Sequence, residues 1–217
     1  MIRFENLSKS FWIKGKQKVV IDNLNLTLPS GRSLGLLGRN GAGKSTLLQI
    51  IAGTMNADSG RIVTDGSISW PVGQANSIHR ELSGAENVKF LARIYGVDTE
   101  ELIDFVEEFS ELGDFFYMPV RSYSSGMRAR LAFGASMGIH FDTYLVDEVT
   151  AVGDARFKSK SQEVFQARMS HSSAIVVNHS MPSLRKYCDS GLVLENGSVT
   201  YFEDLDEAIE YHTEQLK

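Results

Sequence analysis

The chain has 217 residues, 42% hydrophobic and 23% charged, with 19 Gly and 4 Pro, values that exclude a disordered or collagen-like chain. Lys and Arg number 22 against 27 Asp and Glu, a formal net charge of −5, which argues against general nucleic-acid binding because phosphate neutralisation needs a basic excess. The single cysteine, Cys188, excludes an internal disulfide and a cysteine-built zinc site and agrees with a reducing compartment.

The N-terminal residues contain no apolar stretch of signal-peptide length, and no segment approaches the ~20 apolar residues that cross a bilayer. The chain is therefore expected in the cytosol or held at a membrane by a partner. Ile2, Phe4 and Leu7 open a strand, and Val19–Leu28 alternates Leu24, Leu26 and Leu28 with polar residues, the period of a half-buried strand. Pro29-Ser30-Gly31 turns the chain, and Ser33–Leu37 is an apolar run suited to a buried strand. A helix is predicted over Gly43–Ala52, and residues 61–73 again read as strand. Ser83-x-x-Glu86 is a capping box that opens a helix to Tyr95, and a second helix follows over Glu100–Leu112. A further helix is expected over Met127–His140, so residues from about 80 to 140 read as a helical insertion. Strands return at Tyr144–Val146 and Ala174–Val177, around a helix near Phe157–Arg168. Leu192–Leu194, Asn196-Gly197 and Val199–Phe202 predict a hairpin with a type I′ turn, and an amphipathic helix starts near Asp206. Strands alternating with helices imply an α/β core with a mostly parallel sheet.

Gly38-Arg39-Asn40-Gly41-Ala42-Gly43-Lys44-Ser45 matches G-x-x-x-x-G-K-[ST] between a predicted strand and a predicted helix. The glycines let successive backbone N–H groups point inward at phosphate oxygens, and the helix N-terminus adds positive potential. Lys44 reaches the β- and γ-phosphates, the Ser45 hydroxyl suits a Mg²⁺ ligand, and Thr46 can bond a more remote phosphate. Tyr144-Leu145-Val146-Asp147-Glu148 is a short apolar run ending in two carboxylates. Acids there stand at the C-terminal edge of a buried strand, where open α/β sheets bind ligands. Asp147 is expected to hold Mg²⁺ through water, and Glu148 to act as the general base that orients and polarises a water. Without the phosphate cradle, the same residues would be a strand followed by a solvated acidic turn.

Between these two sites stands Ser122-Tyr123-Ser124-Ser125-Gly126-Met127-Arg128, in the place where ATP-binding subunits of ABC transporters carry their L-S-G-G-Q signature. Ser124 and Gly126 match that pattern; the other positions depart from it. Over nearly its whole length the chain resembles that family. The resemblance implies an α/β P-loop NTPase domain with a mostly parallel sheet core, an antiparallel β lobe and a helical subdomain. It treats residues 1–217 as one nucleotide-binding domain. It assigns Ser124, Ser125, Gly126 and Met127 to nucleotide binding, Asp154 to the D-loop, and His179, 31 residues past Glu148, to sensing the γ-phosphate. Gln74 takes the place of the Q-loop glutamine, with roles in catalysis and at the metal. An aromatic near the N-terminus stacks on adenine, with Phe11 preferred and Trp12 the alternative.

Ser69-Trp70-Pro71-Val72-Gly73, the Tyr-Ser-Ser-Gly-Met signature and Val149 where Pro is usual resemble the polysaccharide-export branch, and within it the capsular polysaccharide exporters. The chain runs 38 residues past His179, shorter than O-antigen exporters that carry a carbohydrate-binding domain. Teichoic-acid and O-antigen exporters remain the alternative. The resemblance implies ATP and Mg²⁺ as cofactors and ATP hydrolysis at the interface of a homodimer. The implied partners are an integral membrane permease, periplasmic and outer-membrane export proteins reached through it, and a lipid-linked polysaccharide. No nucleic acid is expected. The implied location is peripheral, on the cytoplasmic face of the bacterial inner membrane. The helical part and Gln74 are where the permease would dock, with Arg121, Arg128 and Arg130 as a basic patch. Rival readings fit less well. DNA-repair ATPases of this type carry coiled coils or zinc modules, a GTPase needs an Asn-Lys-x-Asp reader that is absent here, and a purely regulatory module has no use for Glu148.

Overall fold

A computed structural model describes residues 1–74, 78–147 and 155–216. In chain order these run β1 (Ile2–Ile13), β2 (Lys16–Leu28), β3 (Leu34–Leu37), α1 (Lys44–Ile51), β4 (Ser59–Thr64), β5 (Ile68–Pro71), α2 (Gly84–Tyr95), α3 (Thr99–Ser110), α4 (Ser125–Gly138), β6 (Thr143–Asp147), α5 (Ala155–Met169), β7 (Ser173–Val177), α6 (Met181–Tyr187), β8 (Ser190–Glu195), β9 (Ser198–Phe202) and α7 (Leu205–Gln215). They fall into two compact units: one holds Met1–Pro71 with the segments starting at Phe141 and His171, the other Val72–His140 with α5.

Among the described residues, the nine strands all lie in the first unit, in two sheets. An antiparallel sheet has the order β2-β1-β4, and a six-stranded sheet has the order β5-β6-β7-β3-β8-β9. Neighbours in the larger sheet are parallel except for the β8–β9 hairpin. The strands β3, β6 and β7 are short apolar runs because they are covered on both faces, and every residue of β3 and β7 is buried. Phe4, Leu7, Ile21 and Leu28 from the antiparallel sheet join Leu47 and Leu48 of α1 and Leu145, Ile175 and Leu192 of the parallel strands in one core.

The alternation read in the sequence underestimated the first hairpin. Strands β1 and β2 continue to a tight turn at Lys14-Gly15, whose φ angles of 49° and 77° fit a type I′ connection. Residues 61–73 hold two strands, not one. Asp65-Gly66-Ser67 separates them, because the Asp142 carboxylate accepts hydrogen bonds from the Ser67 backbone N–H and hydroxyl, each at 2.7 Å. Strand β4 then pairs with β1, whereas β5 pairs with β6 in the other sheet. Pro71 is tolerated because β5 lies at the sheet edge. The short helix α6, capped by Ser180, escaped the sequence reading because its seven residues carry too little periodicity. The β8–β9 turn is of the expected type, with φ of 47° at Asn196 and 83° at Gly197.

The second unit is helical. Helix α2 starts with the capping box: the Ser83 hydroxyl accepts from the Glu86 N–H at 3.1 Å, and the Glu86 carboxylate accepts from the Ser83 N–H at 2.8 Å. Its centre is aromatic, with Phe109 of α3 stacked on Phe133 of α4 at 5.7 Å and edge-on to Phe157 of α5 at 5.1 Å. Among the described residues no helix is long and apolar enough to cross a membrane.

Candidate functional site

Strand β3 ends at Leu37, and the next residues wrap around the start of α1. Gly38 adopts φ 152°, where a side-chain carbon would lie 2.5 Å from the Leu194 carbonyl oxygen. Gly43 caps α1 at φ 115°, where such a carbon would lie 2.0 Å from Val20 Cγ1. The loop's shape and its close approach to β2 and β8 therefore both require glycine. The loop is closed by a bond from the Ala42 N–H to the Arg39 carbonyl at 3.0 Å. The Lys44 ammonium folds back over the loop and donates to the carbonyls of Gly38 at 2.7 Å and Arg39 at 3.2 Å. Helix α1 has no side-chain cap and no acid in its first turn, which leaves its positive end open to an anion. By contrast α2, α3 and α7 each place acids there.

A cleft of about 320 Å³ opens over this loop, lined by Asn40, Gly41, Gly43, Lys44, Ser45 and Thr46. Asp147, at the end of β6, His179, just past β7, and Phe11, Ile13, Lys18 and Val20 of the hairpin also line it. The parallel register places the acid: Asp147 pairs with Val177, which brings both strand ends to one edge. Strand alternation selects the aromatic. Phe11 and Ile13 share a face of β1 and line the cleft, whereas Trp12 points the other way and is 73% exposed.

Gly38 and Ala42 shape the loop without lining the cleft. Arg39 turns away from it, and its guanidinium donates to the Gln215 carbonyl at the end of α7. His212 of α7 is buried. Burial and the charges of Lys44 and Arg39 push its pKa below the usual histidine value, against the opposing pull of Glu195. Lys18, and this buttress of α7 behind the loop, were missed in the sequence reading. The Lys14-Gly15 turn was the signal that would have set Lys18 opposite Phe11, as the register does.

Other site residues lie in the helical unit. Ser124 caps α4, its hydroxyl accepting from the Met127 N–H at 3.2 Å; Ser125 is the first residue of the helix. Ser124, Gly126 and Met127 line a depression of about 320 Å³ together with Glu111, Leu112, Phe115 and Arg130. Gln74 is half-buried in this unit. The three arginines expected as a basic patch are each engaged. Arg121 pairs with Glu81 at 2.9 Å, Arg128 donates to the Tyr123 carbonyl at 2.6 Å, and Arg130 lies over the Phe157 ring at 4.5 Å. Glu148 and Asp154 lie outside the described residues.

A glycine loop closed on a helix N-terminus, with a lysine over it and an acid at a neighbouring strand end, defines a P-loop nucleotide-binding protein. The chain belongs to the ABC transporter family, whose description matches residues 21–151. It is 51% identical to the polysialic acid transport ATP-binding protein KpsT of Escherichia coli, over 97% of this chain and 95% of that protein. It is 46% identical to the ATP-binding protein BexA of Haemophilus influenzae over the whole of both chains. More distant are an O-antigen export ATP-binding protein of Klebsiella pneumoniae, 33% identical over 94% of this chain and 85% of that one, and a teichoic acids export ATP-binding protein of Staphylococcus epidermidis, 32% identical over 100% and 89%. The fold is similar to that of the ATP-binding cassette MJ0796, solved as a dimer in a post-hydrolysis state with ADP and phosphate. That match has a TM-score of 0.76 at 21% identity, covering 94% of this chain and 99% of that one.

Proposed function

We propose that this chain is the ATP-hydrolysing subunit of an exporter of capsular polysaccharide. The observation that carries the reading is the cleft itself: the phosphate loop, Asp147, His179 and Phe11 all line it. That is the layout a nucleoside triphosphate needs, with its base on an aromatic and its terminal phosphate against a cation, an acid and an imidazole. The capsule assignment rests on identity, about half to KpsT and BexA against about a third to the O-antigen and teichoic-acid exporters.

The backbone N–H groups of the loop and the start of α1 bind the β- and γ-phosphates, and Lys44 moves from the loop carbonyls to the phosphate oxygens. Ser45 and Asp147 give two oxygen donors in one cleft, the kind of partial set that Mg²⁺ takes from protein while keeping phosphate and water ligands. When bound, Mg²⁺ neutralises charge on the phosphates; Gln74 is assigned to the same ion by the family resemblance alone. Glu148 takes a proton from the attacking water, and His179 senses the γ-phosphate. Catalysis is chiefly positioning and electrostatic stabilisation of the transferred phosphoryl group. Each nucleotide is shared by two copies of the chain, the loop of one facing Ser124–Met127 of the other, with Asp154 at the same contact. Closure of the pair moves an integral membrane permease, which places the chain peripherally at the cytoplasmic face of the inner membrane. Residues 1–217 act as one nucleotide-binding domain, and the permease passes lipid-linked glycan to periplasmic and outer-membrane partners.

The test is Glu148→Gln in place of the native chain in its host. ATP hydrolysis by the purified variant should fall about 10²-fold or more. Polysaccharide should disappear from the surface and accumulate inside. Unchanged surface polysaccharide with lost hydrolysis would sink the substrate assignment, and undiminished hydrolysis would sink the role of Glu148.

A further inference from the structure

The nucleotide cleft holds a second cation that the P-loop pattern does not include. Lys18 lies on β2 directly opposite Phe11 of β1, the cross-strand neighbour on the same face. Its ammonium reaches across to the phosphate loop and donates to the Gly41 carbonyl at 2.7 Å. Phe11, Lys18, Gly41 and Lys44 all line the one cleft. Lys18 thus spans from the aromatic, where a base would stack, to the near side of the loop, where the phosphates begin. Lys44 instead stands at the start of α1 and donates to the carbonyls of Gly38 and Arg39, at the other end of the loop sequence.

On the proposed reading of this cleft as the ATP site, we infer that Lys18 binds the inner phosphates of the nucleotide, the part that ATP and ADP share. An ammonium carries three donors, so Lys18 can keep the Gly41 carbonyl and still offer two to a phosphate oxygen. Its contact with Gly41 fixes where those donors stand before the nucleotide arrives. Gly41 adopts φ 77°, a conformation that favours glycine, and a side-chain carbon there would make only an ordinary contact with the ammonium, at 3.7 Å.

The test compares wild type, Lys18→Met and Lys18→Arg by direct titration with ATP and with ADP in Mg²⁺. Lys18→Met should weaken both nucleotides by the same factor, about five- to tenfold for one exposed charge-assisted contact. Its affinity should also depend less steeply on salt than that of wild type. Lys18→Arg should retain most of the affinity, and the melting temperature of the nucleotide-free chain should not move. Equal affinities of wild type and Lys18→Met would overturn the inference and leave the ATP site standing. A loss larger for ATP than for ADP would also overturn it, because Lys18 would then act at the terminal phosphate. A wild type that binds neither nucleotide would overturn the reading of the cleft itself.

Discussion

Two helices of this molecule start on a glycine-bearing turn with no acid to neutralise their N-termini, α1 behind the phosphate loop and α4 behind Ser124. They use glycine for different reasons. At Gly38 and Gly43 the fold demands it: positive φ angles and the backbone of β8 and side chain of Val20 leave no space for a side chain. At Gly126 the fold does not demand it. The backbone is helical, and a side-chain carbon would meet nothing closer than Ser124 Oγ at 3.9 Å. Local structure accounts for the glycines of the first turn, whereas at Gly126 it leaves room for a side chain. Gly126 opens on a depression that Ser124 and Met127 also line, consistent with an incoming phosphate.

The largest effect that tests this contrast is at Gly43. Gly43→Ala should cost about 3–5 kcal/mol through backbone strain and the clash with Val20. A thermal melt of the nucleotide-free chain should show a clear loss, with nucleotide binding abolished. An unchanged melt would mean that the loop can relax, and the contrast with Gly126 would collapse.

Gly126→Ala should do the reverse. The melting temperature should stay level or rise, since alanine is better than glycine in a helix by up to about 1 kcal/mol. ATP hydrolysis should drop about tenfold or more, because the methyl group stands where backbone would approach the nucleotide held by a second copy. Full activity in this variant would remove the ligand from the account of α4.

How legible the site was follows from the same distinction. The phosphate loop is contiguous, and its residues carry the geometry in themselves, so the sequence pattern specified its shape and its place between β3 and α1. Asp147 was legible because a buried apolar run that stops at an acid must end at a sheet edge. Lys18 was not legible, since its position depends on a cross-strand register set by the Lys14-Gly15 turn. Nor was the contact of Arg39 with Gln215, which joins residues 176 apart in the chain. The split of residues 61–73 between two sheets is marked by Asp142, 75 residues beyond the Ser67 that it holds. The arginines 121, 128 and 130 cluster in sequence, but each is held by a different partner within the helical unit, a carboxylate, a carbonyl and a ring.

The smallest effect concerns the charge behind the phosphate loop. His212 is held below its ordinary pKa of 6.5 by burial and by Lys44 and Arg39, so the folded chain resists its protonation while the unfolded chain does not. Well above 6.5 the imidazole is neutral in both states and contributes no pH dependence. As pH falls through that value the unfolded state takes up the proton first, and stability declines until the folded-state pKa is reached. His140, lowered by burial and by Arg168, acts in the same direction. The carboxylates with lowered pKa, among them Asp58 and Asp142, lose their contribution as pH falls through the usual carboxylate range and below it, so the decline that begins near the usual histidine value belongs to the histidines. His212→Gln should flatten that decline in a series of thermal melts. Adding ADP should flatten it too, because phosphates bound at the loop would offset the two cations that oppose protonation. A slope untouched by both would mean that His212 does not sense the loop, and the positive potential ascribed to the start of α1 would lose its reporter.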